Sequence, residues 1–316
     1  MRDLILCIDI GGSKLMTGLV DMDGNMLVSE RSEWHKLTAR SVMDTITDSA
    51  HALLRRFDGV QPAAIGITIP GLADPKRGYW VESSFSGIRD LDIAPRLQQA
   101  FGAPAYLDND GQACALAERV FGVCRDVQDF LYMTVSNGVG GAVFMNDGIY
   151  YGAFGNAGEI GHCVVEERTG RPCKCGSSGC LEMHASGRAI PLNYFDLGGG
   201  QEGDSAAAIA TLARTGNRLA LSTFAMEGYY LGKAIAAACN LLNPAKVVIG
   251  GGVSLSFDLF EKSMLDTIDR YVYRNANSGL TVLPTAFGSA GGIMGAAAVA
   301  VCGKNNLHNY AGAYAG

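Results

Sequence analysis

One phrase occurs twice in this chain, and it limits the fold more than any other feature. In the first half the β-rich run Leu4–Ile10 leads into the turn Asp9-Ile10-Gly11-Gly12-Ser13-Lys14, a strand at 15–21, the pair Asp23-Gly24 and a strand at Met26–Glu33. In the second half Phe130–Val135 leads into Ser136-Asn137-Gly138-Val139-Gly140-Gly141, a strand at 141–146, then Asn146-Asp147-Gly148 and a short extension at Ile149 and Tyr150. Asp-Gly between apolar runs is a hairpin signal, because the turn needs residues that accept positive φ. A repeat of strand, glycine turn, strand, hairpin and strand predicts two similar domains facing each other across a cleft.

The segments between these phrases alternate strand and helix. Val42, Ile46, Ala50, Leu53 and Phe57 recur at helical spacing, and 63–69 reads as a buried strand ended by Pro70-Gly71. A loop, a helix at Ile93–Phe101, a strand at 104–108 and a helix at 111–121 follow. Helices dominate 206–242, a buried strand occupies 245–250, and a last helix starts after Gly288-Ser289-Ala290-Gly291-Gly292 and runs to Val301. The expected class is α/β, with mixed sheets flanked by helices. The expected division is an N-terminal domain at 1–118, onto which the C-terminal helix at about 291–316 packs back, and a larger domain at 119–290.

Composition narrows the function. Lys and Arg number 25 against 31 Asp and Glu, a formal charge of −6 with no run of like charges, which disfavours a nucleic-acid role built on phosphate neutralisation. The apolar run at the N-terminus is too short for a signal peptide or a spanning helix, so the expected location is cytoplasmic, with no membrane partner. Nine cysteines, most of them scattered among apolar neighbours, agree with a reducing compartment. Glycine is over-represented at 42 of 316 residues. Its clustering at strand-to-loop positions points to backbone that approaches a ligand closely.

The turn at Asp9, Gly11, Gly12, Ser13 and Lys14 offers backbone N–H groups to an anion, and Asp9 at the strand end can hold a hydrated Mg²⁺. Alone it reads better as a glycine hairpin with a structural Asp. The second turn, with Asn137, Gly138 and Gly140, strengthens the phosphate reading, since two such loops in repeated halves suit a triphosphate. Gly250-Gly251-Gly252 and Gly288 to Gly292 offer surfaces without side chains for a flat base, or else tight helix-strand packing. Asp108-Asn109-Asp110-Gly111 lies where a strand becomes a helix. A carboxylate there can take the proton of an attacking hydroxyl, and an Asn or Asp there can equally be an N-cap.

Gly158-Glu159-Ile160-Gly161-His162 and the later Cys173-Lys174-Cys175-Gly176-Ser177-Ser178-Gly179-Cys180-Leu181-Glu182 carry the most specific signal. One His and three Cys within nineteen residues match a closed tetrahedral Zn²⁺ site, with a disulfide or a redox Cys-x-Cys as alternatives. Such a zinc would be structural. It would fix Glu159, His162 and Glu182 around one small volume, where two carboxylates and an imidazole can clasp vicinal hydroxyls of a sugar.

Taken together, Asp9-Ile10-Gly11-Gly12, Pro70-Gly71, Asp108-Asn109-Asp110, the second glycine turn and the His/Cys segment occur in an order that resembles the ROK family of sugar kinases and sugar-responsive repressors, within the actin-like ATPase superfamily. The resemblance implies two actin-like (ribonuclease H-like) domains, ATP and Mg²⁺ between them, and frequent dimers. It implies Asp110 as catalytic base, sugar held by Gly71, Asn109, Asp110, Glu159, His162 and Glu182, and structural Zn²⁺ on His162, Cys173, Cys175 and Cys180. ATP would be held by Asp9, Gly11, Gly12, Ser13, Lys14, Asn137, Gly138, Gly140, Gly251 and Gly252.

The chain departs from the family pattern at several positions. Ser136-Asn137-Gly138 stands where kinases of the family usually have Gly-Thr-Gly, and Gln112 stands where Asn is usual. Ser84 and Ile88 stand where many glucokinase-like members have Asn and Trp. The last pair implies a wider, less polar pocket that tolerates a substituent at C2, as in N-acetylmannosamine. The expected function is ATP-dependent phosphorylation of the primary hydroxyl of a hexose, glucose or an N-acetylhexosamine, by a homodimer. A sugar-sensing regulator is disfavoured because the chain starts almost at the first strand, without room for a helix-turn-helix. Asn137 keeps a catalytically weak sugar-binding protein in view.

Overall fold

Strand β1 (Leu4–Ile10) explains the first sheet, because its apolar run is continuous and not alternating, as a strand covered on both faces requires. The computed structural model describes residues 3–12, 14–33, 38–83, 87–200 and 205–310. β2 (Lys14–Asp21) and β3 (Met26–Glu33) pair antiparallel beside β1, and the exposed, polar β3 forms the edge. Helix α1 (Ala39–Arg56) starts at a capping box between Thr38 and Ser41 and buries Val42, Ile46, Ala50 and Leu53. β4 (Ala64–Ile69) is parallel to β1. β5 (Leu72–Asp74), β6 (Tyr79–Glu82) and β7 (Arg89–Leu91) form a small separate sheet where the sequence reads as loop. Strands of this length carry no usable periodicity; in the fold Trp80 of β6 is buried and its Nε1 donates to Pro70 O at 2.9 Å. Helix α2 (Ile93–Phe101), β8 (Ala105–Asn109) and α3 (Asp110–Val120) complete this stretch.

The second phrase follows as β9 (Phe130–Val135), β10 (Val139–Met145) and β11 (Gly148–Ile149). The β10–β11 turn places Asn146 and Asp147 at φ 52° and 60°, both positive as a tight hairpin needs. Short helix α4 (Leu181–His184) and α5 (Ala189–Asp196) precede α6 (Ala206–Arg214) and the long α7 (Arg218–Leu242). β12 (Lys246–Gly250), α8 (Phe257–Tyr271), β13 (Thr281–Pro284) and α9 (Gly291–Asn305) end the chain's regular structure. The two main sheets have the orders β3-β2-β1-β4-β8 and β11-β10-β9-β12-β13. Counting only the strands of each sheet in chain order, both run third, second, first, fourth, fifth, the topological form of the repeated phrase.

The chain divides into two units. The first draws on Met1–Gln128, Phe144–Ala157 and Ala290–Gly316, and the second on Asp129–Val143 and Gly158–Ser289. In the first, α9 is buried along nearly its whole length from Ile293 to Gly303, and its small residues let it lie directly on the sheet. That helix begins inside the glycine cluster, at Gly291, and not after it. In the second, α7 and α8 pack closely because Gly228 and Gly232 leave room for the α8 backbone. Among the described residues no helix is long and apolar enough to cross a membrane.

Candidate active site

In the first unit the site-bearing side chains gather at the ends of β1, β4 and β8. Asp9 is half-buried, and Thr68 Oγ1 donates to its Oδ1 at 2.7 Å. Burial pushes its carboxyl up, opposed by the Thr68 hydroxyl and by the positive charge of Lys14. A Cβ at Gly292 would overlap the Asp9 carboxylate, so the first turn of α9 comes against this acid. Of the glycine cluster at that helix start, Gly292 makes the room that Asp9 occupies. The first glycine turn is closed by Gly11 N–H donating to Lys14 O at 2.9 Å, and Ser13 lies outside the described residues.

Asn109 does two things at once. Its Oδ1 accepts from Gly111 N at 2.9 Å as the N-cap of α3, while its Nδ2 donates to Gly71 O at 2.8 Å. Gly71 has φ +87° and a Cβ there would strike the Glu82 carbonyl, so glycine is what lets the Gly71 carbonyl reach Asn109. Asp110 is the first residue of α3 and accepts from Gly111 N at 2.9 Å. The cap and the hydroxyl-binding reading of this motif are compatible.

Asp108, part of the sequence motif but given no role of its own there, is fully buried. Tyr151 Oη donates to Oδ2 at 2.6 Å and Asn109 N to Oδ1 at 2.8 Å. Burial outweighs both donors and pushes its carboxyl up to about 7. Gln112 is nearly buried and reaches Gly155 O at 3.4 Å.

In the second unit His162, Cys173, Cys175 and Cys180 converge, with their ligand atoms within 4.8 Å of one another. Cys175 and Cys180 sulfurs are 3.6 Å apart and Cys173 Sγ is 3.7 Å from His162 Nδ1. A tetrahedron with Zn–S near 2.3 Å has edges of about 3.8 Å, so the donor set and its spacing suit Zn²⁺. The Ser177 amide, followed by the Cys173 and Cys180 side chains, brings the Cys175 thiol down to about 7, which favours the thiolate a metal needs. His162 turns Nδ1 to this cluster and Nε2 toward Glu159 Oε2, 3.9 Å away.

The two glycines of the Gly-Glu-Ile-Gly-His motif have a steric reason. A Cβ on Gly161 would overlap Val139 O, and one on Gly158 would overlap Gly141 O, so the segment lies flat on β10 and carries Glu159 with it. The second glycine turn is held from several sides: Ser136 N donates to Gly138 O at 2.8 Å, Gly187 N to Ser136 O at 2.6 Å, and Val139 N to Glu182 Oε2 at 3.0 Å. Glu182 therefore braces the turn. Beside it opens a cavity of about 1070 Å³, whose polar end has Ser136, Asn137, Arg188 and Gly252 and whose wall includes Phe195 and Ala210. Gly252 has open space where a Cβ would sit, whereas a Cβ on Gly251, at φ +81°, would strike the Val135 backbone. Gly252 borders the cavity and Gly251 serves packing.

The model of the ROK family matches residues 5–302 of this chain. The chain belongs to the ROK family. This ROK protein is 29% identical over 309 residues to the glucokinase of Halalkalibacterium halodurans, covering 91% of this chain and 92% of that one. It is 26% identical over 305 residues to the xylose repressor of Bacillus subtilis, covering 93% of this chain and 76% of the repressor. A ROK family glucokinase from Streptomyces griseus, solved in complex with glucose and AMPPNP, superposes with a TM-score of 0.80 at 27% identity, covering 94% of this chain and 99% of that one. The α/β architecture of mixed sheets flanked by helices is thus the two-domain, actin-like fold of ROK sugar kinases.

One expectation needs correction in this ROK protein. Ile88 is 3% exposed and belongs to the hydrophobic core with Trp80, Leu91 and Ile93, so its side chain lines no open wall, and Ser84 lies outside the described residues. The argument for a widened sugar pocket from these two positions loses its support. A single apolar residue between loops cannot announce whether it faces core or ligand. Thr68, Tyr151 and Arg188 were missed for a related reason: each acts through a partner distant in sequence.

Proposed function

We propose that this ROK protein is an ATP-dependent kinase that transfers the γ-phosphoryl group to the primary hydroxyl of an aldohexose or N-acetylhexosamine. The observation that carries this reading is Asn109, whose side chain joins Gly71 O to the head of α3 and so fixes Asp110 on the first helical turn. Asn109, Asp110, Glu159 and His162 take the sugar hydroxyls, and Glu182 contributes by bracing the glycine turn. Asp110 accepts the hydroxyl proton as the sugar oxygen forms its bond to Pγ and the bond to the β,γ-bridging oxygen breaks, releasing ADP. Asp9 would hold a hydrated Mg²⁺, which would supply charge neutralisation of the phosphates. The adenine end of the nucleotide occupies the apolar part of the cavity beside Asn137 and Gly252. His162, Cys173, Cys175 and Cys180 would hold a structural Zn²⁺, with His162 Nδ1 facing the cysteines and its Nε2 turned toward Glu159.

The similarity to the B. subtilis xylose repressor, with Asn137 in the phosphate turn, supports a second reading as a sugar-responsive regulator without turnover. A coupled assay with ATP and Mg²⁺ against glucose, mannose, fructose, allose, N-acetylglucosamine and N-acetylmannosamine separates the two. The kinase reading expects measurable turnover of several of these sugars, because one small contact discriminates by only about 1–3 kcal/mol. Sugar binding by calorimetry with no turnover of any sugar would favour the regulator.

A further inference from the structure

The polar end of the large cavity in the second unit has a feature that the glycine turn alone does not supply. Among the described residues lining that cavity the charged ones are Arg188 and Arg214, with no carboxylate. Arg214 is committed elsewhere: its Nη2 donates to Asp258 Oδ1 at 2.8 Å and to Leu255 O at 3.2 Å. Arg188 differs. Its Nε donates to Asn137 O at 2.7 Å, and its Nη2 lies 3.4 Å from Glu182 Oε1. A Cβ built on Gly138 would be 3.7 Å from that same Nη2, so the guanidinium covers the face of the turn at Gly138. The Arg188 side chain is nevertheless 55% exposed.

A guanidinium has five N–H donors in a planar fork suited to phosphate oxygens. Here one edge is oriented by the Asn137 carbonyl and by Glu182, which is itself anchored on Val139 N at 3.0 Å. We propose that Arg188 binds the β- and γ-phosphates of the nucleotide at the Asn137-Gly138 turn, pre-oriented by Glu182 and by the Asn137 carbonyl. The assignment rests on the nucleotide reading given above. It gives the turn the positive charge that Asn137 cannot bring, and it sets a cation between the Glu182 carboxylate and the polyphosphate. Because Glu182 follows Cys180 by two residues, the geometry also ties this phosphate contact to the His/Cys cluster.

Calorimetric titration of the full-length, zinc-loaded protein with ATP, tripolyphosphate and adenosine tests it, on wild type, Arg188→Gln and Arg188→Lys. Arg188→Gln should weaken ATP and tripolyphosphate by about 10- to 100-fold, the scale of a lost charge-assisted hydrogen-bond pair, and leave adenosine within twofold. Arg188→Lys should fall between, since an ammonium restores the charge but not the fork. ATP affinity of Arg188→Gln within twofold of wild type would overturn the assignment and leave the nucleotide reading standing. Equal losses for ATP and adenosine would also overturn it, by making Arg188 a brace of the turn only. A wild-type protein that binds neither ATP nor adenosine would remove the nucleotide reading and this assignment together.

Discussion

Glu182 accepts the backbone hydrogen of Val139 at 3.0 Å, and this bond joins the end of the cysteine-rich segment to the glycine turn between β9 and β10. Two motifs that the sequence separates by more than forty residues are thereby one mechanical piece. The His/Cys cluster and the glycine turn should therefore respond together when either is disturbed.

Asp110→Asn keeps the size and polarity of the side chain while removing the proton acceptor. We expect kcat to fall by about 10²-fold or more with sugar affinity largely retained. Steady-state kinetics and sugar titration check this, and near-normal turnover in the variant would remove Asp110 from its role.

Elemental analysis of protein purified without chelator should find zinc at one atom per chain. Chelation, or Cys175→Ser, should lower the melting temperature by several degrees and weaken sugar binding, because Glu159 and Glu182 would lose a common anchor. Sugar affinity that survives loss of the metal would uncouple the cluster from the site.

Gly138 and Gly252 should behave differently despite their similar loops. A methyl group on Gly138 would run into the Glu182 carboxylate, while nothing lies within 4 Å of one on Gly252. Gly138→Ala should cost about 1–3 kcal/mol of stability and raise KM for ATP more than KM for sugar. Gly252→Ala should leave the melting temperature unchanged and act on ATP alone. Indistinguishable melting curves for the two variants would contradict the contact with Glu182.

Asp108 makes a pH-dependent contribution whose sign follows from its raised carboxyl, about 7 in the folded protein against the ordinary 3.8. Below the lower value both states are protonated; between the two the unfolded chain ionises first, so stability falls as pH rises toward 7, by at most about 4 kcal/mol. Asp108→Asn cannot ionise and should be the more stable protein at pH 8 relative to its standing at pH 4. Parallel melting temperatures of wild type and variant across that range would show that Asp108 is not buried as a neutral acid.

Ile88→Ala should destabilise the first unit by about 2–5 kcal/mol as a core truncation. The ratio of kcat/KM between glucose and N-acetylmannosamine should stay the same in Ile88→Val, a milder cut. A changed ratio would return Ile88 to the sugar pocket.

The repeated α/β plan and the His/Cys group that converges in the fold were both legible along the chain. Both are written in local signals: apolar runs at Leu4–Ile10 and Phe130–Val135, hairpin residues at Asp23-Gly24 and Asn146-Asp147, and four ligands within one short segment. The sequence also marked Asn109 and Asp110, because a strand-to-helix junction restricts which residues stand there. Only the tertiary structure decided what each polar group meets. It gave Glu182 to Val139, Asp108 to Tyr151 and Thr68 to Asp9, sent Ile88 into the core, and separated Gly252 at the cavity from Gly251 under Val135. Hydrogen bonds and steric contacts of this kind depend on distance in space, and a sequence orders residues only along the chain.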